Sequence, residues 1–287
     1  MERMSIETAL RSLIAELEQD RSLRDPRHLR QRFEALDALD AHLSGAQSTA
    51  TRLHHRASAI HAELESINLG VYEAICRDIQ HGGGAASLLE WMPGEDSATN
   101  LATREGYDYL DELLSGVLQL EEPSPEAVPL EPEMVPYQPT PARHIFDLVR
   151  RAALTERDVL IDLGAGLGHV TLMASICTNA SCTGIELEPS YVDCARKSAR
   201  SLNLSNARFI QADARAEDLS HGTVFYLYTP FTGAILRDVL NALRQESAKR
   251  KIRICTFGPC TRALAEEPWL SAMGAMDTNR ISIFRPR

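Results

Sequence analysis

The stretch DVLIDLGAGLGHVTL, Asp158–Leu172, decides how the rest of this chain reads. An apolar run breaks into glycines at alternate positions, Gly164, Gly166 and Gly168, and resumes at helical spacing. That change of period marks a strand turning sharply into a helix. Lacking Cβ, the glycines let the backbone bend tightly and approach a ligand closely.

The pattern repeats downstream. SCTGIEL (181–187), ARFIQAD (207–213), GTVFYLY (222–228) and KIRICTFG (251–258) read as strands. Between most of them lie helical segments: 168–179, 190–203 and 233–248. The tail, 268–286, has room for one or two closing strands. Alternating strands and helices imply a mostly parallel sheet with right-handed crossovers, and its ligand crevice lies at the carboxyl ends of the strands.

Spacing separates the candidate ligands. A dinucleotide turn, G-x-G-x-x-G, would place its third glycine at position 169, which is His169. The pattern here is D-x-G-x-G-x-G, Asp162 to Gly168. Glu186 ends the second strand and Asp213 the third. Three acids at three successive strand ends form a set of hydrogen-bond acceptors suited to a ligand rich in donors.

These features resemble the motifs of class I S-adenosylmethionine-dependent methyltransferases, over roughly Tyr137 to Arg287. The resemblance implies an α/β fold with a Rossmann-like seven-stranded sheet, S-adenosylmethionine as cofactor and S-adenosylhomocysteine as product. It implies that Asp162 faces the cofactor's ammonium beside the turn of Gly164, Ala165, Gly166 and Gly168. Glu186, with Leu187, would accept the ribose hydroxyls. Asp213, with Ala214, would accept from the adenine amino group. DLGAGLGHV and GIELEP are also similar to non-SET histone-lysine methyltransferases, and to bacterial proteins of that look with a helical N-terminal domain.

Two further segments belong to this reading. In YQPTPARHIFDLV, Thr140 is the expected N-cap and Pro141 the first helical residue. The segment is similar to one that meets the methionine end of the cofactor in amino-directed enzymes, with Tyr137 over the cofactor and Thr140 near its carboxylate. YTPF, Tyr228–Phe231, follows the fourth strand and resembles the Asn/Asp-Pro-Pro-aromatic signature of nitrogen methyltransferases. It departs from it: Thr229 stands in place of Asn or Asp, and there is one proline. Nitrogen and oxygen acceptors both stay open. Thr229, Tyr228 and Tyr137 are the candidates for positioning the acceptor. His144 and His169 are each open to two readings, a base or an ordinary helix histidine.

The N-terminal part reads as an all-α domain. Ile6, Leu10, Leu13, Ile14 and Leu17 share one face; a second helix is expected to open at Asp25–Pro26 and close at Gly45. A third is expected from near Ser48, with VYEAICRDIQ (71–80) as a separate helix ending at HGGG. GYDYLDELLSG (106–116) offers Tyr107, Asp108, Tyr109, Asp111 and Glu112 as a surface for a cationic acceptor. Seven of the 14 prolines fall between Pro123 and Pro141. The expected division is therefore a helical domain at 1–118 for substrate selection, lid or dimerisation, a Pro/Glu-rich linker at 119–136, and a cofactor domain at 137–287.

Charge narrows the partners. The net charge of −10 concentrates upstream: residues 1–118 hold 11 Arg, no Lys and 20 Asp or Glu, while 141–287 hold 19 Lys or Arg and 15 Asp or Glu. An acidic half is repelled by phosphate backbones, so no nucleic acid is expected. No apolar stretch approaches the roughly 20 residues of a membrane span, so no membrane association is expected. Charges interrupt MERMSIETAL where a signal peptide would be apolar. The six cysteines form no C-x-x-C pair, and His54, His55 and His61 read as helix-surface residues. A cytoplasmic protein with reduced thiols and no metal is expected. The expected activity is methylation of a nitrogen or oxygen on a small-molecule acceptor. The alternatives are a protein lysine and a silent cofactor-binding scaffold.

Overall fold

A computed structural model describes residues 2–43, 52–92, 106–121, 123 and 131–287. These fall into two compact units, Met1–Ile75 and Cys76–Arg287.

The first unit is helical: α1 (Glu2–Gln19), a 3₁₀ turn (Arg21–Arg24), α2 (Leu29–Leu43) and most of α3 (Arg52–Gln80). Leu10, Ile14 and Leu17 of α1 meet Leu39 of α2 and Ile60 and Leu64 of α3 in one apolar core. Two boundaries differ from expectation. α2 starts at Leu29 rather than Pro26, because the Arg32 guanidinium takes the carbonyls of Leu23, Asp25 and Pro26. Asp25 O also accepts the His28 N–H at 3.0 Å, which closes a turn ahead of the helix. α3 continues without a break through Gly70 and 71–80. The expected helix end at Gly45 and start at Ser48 lie outside the described residues.

The second unit carries a seven-stranded sheet in the order β3-β2-β1-β4-β5-β7-β6. Its strands are β1 (Val159–Leu163), β2 (Ser181–Glu186), β3 (Ala207–Gln211), β4 (Val224–Leu227), β5 (Arg253–Thr256), β6 (Leu270–Ala272) and β7 (Ser282–Pro286). β1 to β5 are parallel, and β7 runs antiparallel to both β5 and β6. The order reverses between β1 and β4, which sets the ligand crevice at their carboxyl ends. This is the Rossmann-like seven-stranded sheet expected from the sequence.

Helices α4 (Gly84–Leu89), α5 (Tyr109–Leu118), α6 (Ala142–Ala152), α7 (His169–Cys177), α8 (Pro189–Ser201), α9 (Gly233–Ser247) and α10 (Cys260–Ala265) complete the unit. α9 supplies Ile235, Leu236, Val239, Leu240 and Leu243 to a core with Phe225, Ile254 and Phe284. α7 is buried from Val170 to Ile176 and has no polar face, because it is covered on both sides. α4, α5 and α6 pack on it away from the sheet. That packing puts the described residues of 76–118 with the sheet, whereas composition alone placed them with the upstream helices. Among the described residues, no helix is long and apolar enough to cross a membrane.

Candidate active site

β1, β2 and the residues after β3 each deliver an acid to one cavity of about 360 Å³. Asp162, Glu186 and Asp213 all line it, with Tyr137, Thr140, Gly164, Ala165, Leu187, Ala214, Tyr228 and Thr229. Gly166 and Gly168 do not reach its wall; they shape the turn beneath. Gly166 has φ of 53°, and a Cβ there would stand 2.1 Å from the Tyr137 ring. The turn therefore needs glycine twice over, for its left-handed backbone and for contact with that ring.

The acids differ in state. Asp162 is 3 % exposed. Burial, reinforced by Glu186, pushes its carboxyl up to about 7, and its side-chain partner is the Thr171 hydroxyl, 3.1 Å away. Glu186 accepts the N–H groups of Gly166 (2.8 Å), Leu187 (2.8 Å) and Glu188 (2.9 Å), which fixes its carboxylate. Asp213 is gripped by Arg215 and held below the usual carboxylate range.

The roof is the segment 131–140. Glu133 accepts the N–H groups of Ala234 and Ile235 and so caps α9. Met134 bridges Phe231, and the Val135 N–H donates to Pro230 O. Tyr137 shares a 3.2 Å hydrogen bond with His169 Nδ1, and its ring lies 5.0 Å from that of Tyr191. Expected as linker, residues 134–136 are cavity wall. Glu122 and residues 124–130 of that linker lie outside the described residues.

Several sequence expectations are corrected. Thr140 is not an N-cap: its hydroxyl shares a 2.9 Å hydrogen bond with Tyr226 OH, and Pro141 holds the cap position. The α6 terminus is capped from elsewhere, by Asp111 Oδ1 accepting the Ala142 N–H at 2.7 Å. Asp108 caps its own helix through the Leu110 N–H. Two of the three acids offered to a cationic acceptor, Asp108 and Asp111, are thus engaged in capping. The Thr229 hydroxyl accepts the Cys260 N–H at 3.0 Å and reaches Phe257 O at 3.3 Å. It braces the β5–α10 turn, and Thr229 itself has φ of 42°. His144 is buried under Phe257, ring centroids 4.2 Å apart, and is absent from the cavity wall. His169 does line the wall; its ring is enclosed although the residue as a whole is partly buried, and burial pushes it down to about 4.

Sequence reasoning missed Met134, Tyr191, Tyr226 and Phe231 on the wall. Tyr226 had a signal: β4 leaves the sheet beside β1, so its last side chains border the crevice. No described residue lining the cavity is a lysine or arginine, while Asp162, Glu186, Glu188 and Asp213 are acids. A diphosphate finds no counter-charge there; a ligand carrying an ammonium, a diol and an amine finds an acceptor for each.

Residues 154–251 match a family model described as a methyltransferase domain. No curated protein matches the chain. Among solved structures, an RNA methyltransferase from Salinibacter ruber, in complex with S-adenosyl-L-homocysteine, is 25% identical over 52% of this chain and 92% of its own, with a TM-score of 0.42. A precorrin-6y C5,15-methyltransferase from Geobacter metallireducens is 16% identical over 54% of this chain and 92% of its own, also at 0.42.

Proposed function

We propose that this chain is a class I S-adenosylmethionine-dependent methyltransferase that transfers a methyl group to a nitrogen or oxygen of a small-molecule acceptor. The observation that carries the reading is the convergence of Asp162, Glu186 and Asp213 on a cavity whose described wall has no lysine or arginine.

When bound, S-adenosylmethionine supplies a methyl group already activated on a sulfonium. The chain's part is to bind and align. Asp162, ionised, holds the ammonium. Glu186, fixed by three backbone N–H groups, keeps about one acceptor position for a ribose hydroxyl. Asp213 accepts from the adenine amino group. Tyr137, over the glycine turn, and Tyr228 border the acceptor side, and alignment of this kind contributes about 7–11 kcal/mol. With the Thr229 hydroxyl engaged elsewhere, acceptor contact falls to the Tyr228 side chain and the backbone around Pro230. His169, kept neutral, anchors Tyr137.

The helical N-terminal part selects the acceptor or pairs two copies, and the cytoplasm is the compartment composition favours. Labelled S-adenosylmethionine and a cell extract test the reading: label is expected in small metabolites. Label in protein or nucleic acid would overturn the acceptor class. No binding of S-adenosylmethionine in titration calorimetry would overturn the whole.

A further inference from the structure

Arg215 makes the densest set of ionic contacts at the cavity. Its Nε lies 3.1 and 3.0 Å from the two Asp213 oxygens, and its Nη2 lies 2.6 Å from Oδ2. Its backbone N–H adds a 2.8 Å bond to Oδ1. On the other side, Nη2 and Nη1 reach Glu131 of the roof at 2.8 and 3.4 Å. One guanidinium thus joins the strand-end acid to the segment that covers the cavity. Arg215 does not itself line the wall, so it acts through Asp213.

We propose that Arg215 is a positioning residue that sets base selectivity, by holding Asp213 in one rotamer so that it accepts a single exocyclic N–H and rejects a carbonyl. The proposal rests on the reading that Asp213 meets the cofactor's base. A carboxylate offers roughly four acceptor positions. Three Arg215 donors, Nε, Nη2 and the backbone N–H, make four contacts on the two oxygens, with Nε shared between them, so the carboxylate presents one fixed place to a further donor. An amine fits that place. A 6-oxo group presents an acceptor to an acceptor, and a site built for one hydrogen-bonding sense rejects the other strongly. Without the fork, Asp213 keeps only the backbone N–H bond on Oδ1 and faces Glu131 with no cation between them. The carboxylate then meets either base poorly, and selectivity falls.

The probes are S-adenosylhomocysteine and its 6-oxo counterpart, S-inosylhomocysteine, with dissociation constants from titration calorimetry on the full chain. The unaltered protein is expected to prefer the amino form about 100-fold. Asp213→Asn, whose amide can donate to a carbonyl, should collapse that ratio. Arg215→Met should bring it within about fivefold. Arg215→Lys keeps the charge but not the fork; it should give an intermediate ratio and stands in if the methionine variant fails to fold. Glu131→Gln leaves the Arg215–Asp213 fork and should keep the full ratio. If Asp213→Asn collapses the ratio while Arg215→Met and Arg215→Lys retain it, the Arg215 role is overturned and the Asp213 reading stands. No preference in the unaltered protein, or an unchanged ratio in Asp213→Asn, removes the Asp213 reading itself. A collapse in the Arg215 variants alone also overturns the proposal, since Arg215 would then not act through Asp213.

Discussion

Asp162 shows how a single residue can be costly to the fold and useful to the site. Its carboxyl titrates at about 7 in the folded protein, against 3.8 for a free aspartate. As pH rises between those values the unfolded chain loses its proton first, so stability falls through that window and the cost is full above about pH 7. Asp162→Asn is therefore expected to stabilise the ligand-free protein at pH 8 by on the order of 2–4 kcal/mol in urea unfolding. The same change should abolish cofactor binding. In the unaltered protein, cofactor affinity should climb about tenfold per pH unit up to about pH 7, because the ammonium needs the ionised form. Thr229 carries a different tension. It holds φ of 42° immediately before a proline while its hydroxyl ties Phe257 and Cys260 together. Thr229→Val should cost about 1–3 kcal/mol in the same assay, with cofactor affinity retained.

At the scale of elements, the glycine turn and α6 are held by partners distant in sequence. Gly166→Ala would place a methyl group 2.1 Å from the Tyr137 ring, on a backbone L-residues avoid. The ring should be displaced and cofactor affinity should fall at least tenfold in calorimetry. Asp111→Ala would leave the Ala142 and Asp108 N–H groups without their acceptor, and a loss of about 1–2 kcal/mol is expected in thermal or urea unfolding. The strands and the three acids were legible in the sequence because period 2, period 3.6 and a glycine turn are local signals. Thr140 was misplaced because capping is usually local, and here the cap is Asp111, 31 residues upstream. The Thr229 hydroxyl was misread for the same reason, since its partners at 257 and 260 come together only once β4 and β5 pair. Pro26 looked like a helix start until a buried guanidinium claimed the carbonyls around it.

For the molecule as a whole, compactness divides the chain at Ile75, inside a continuous helix, rather than at its most proline-rich stretch. A chain beginning at Cys76 retains every residue that lines the cavity. It is expected to bind S-adenosylhomocysteine within a few-fold of the full-length affinity and to lose turnover on the native acceptor, measured by calorimetry and by label transfer. The acids of the wall, with no lysine or arginine among its described residues, have a further effect on the proposed catalytic cycle. Methyl transfer leaves a neutral thioether where a sulfonium stood, so the acid-lined pocket attracts the reagent more strongly than the spent product. Expulsion of product is thereby favoured after each turnover, and added salt, by screening that attraction, should slow reagent capture more than product escape.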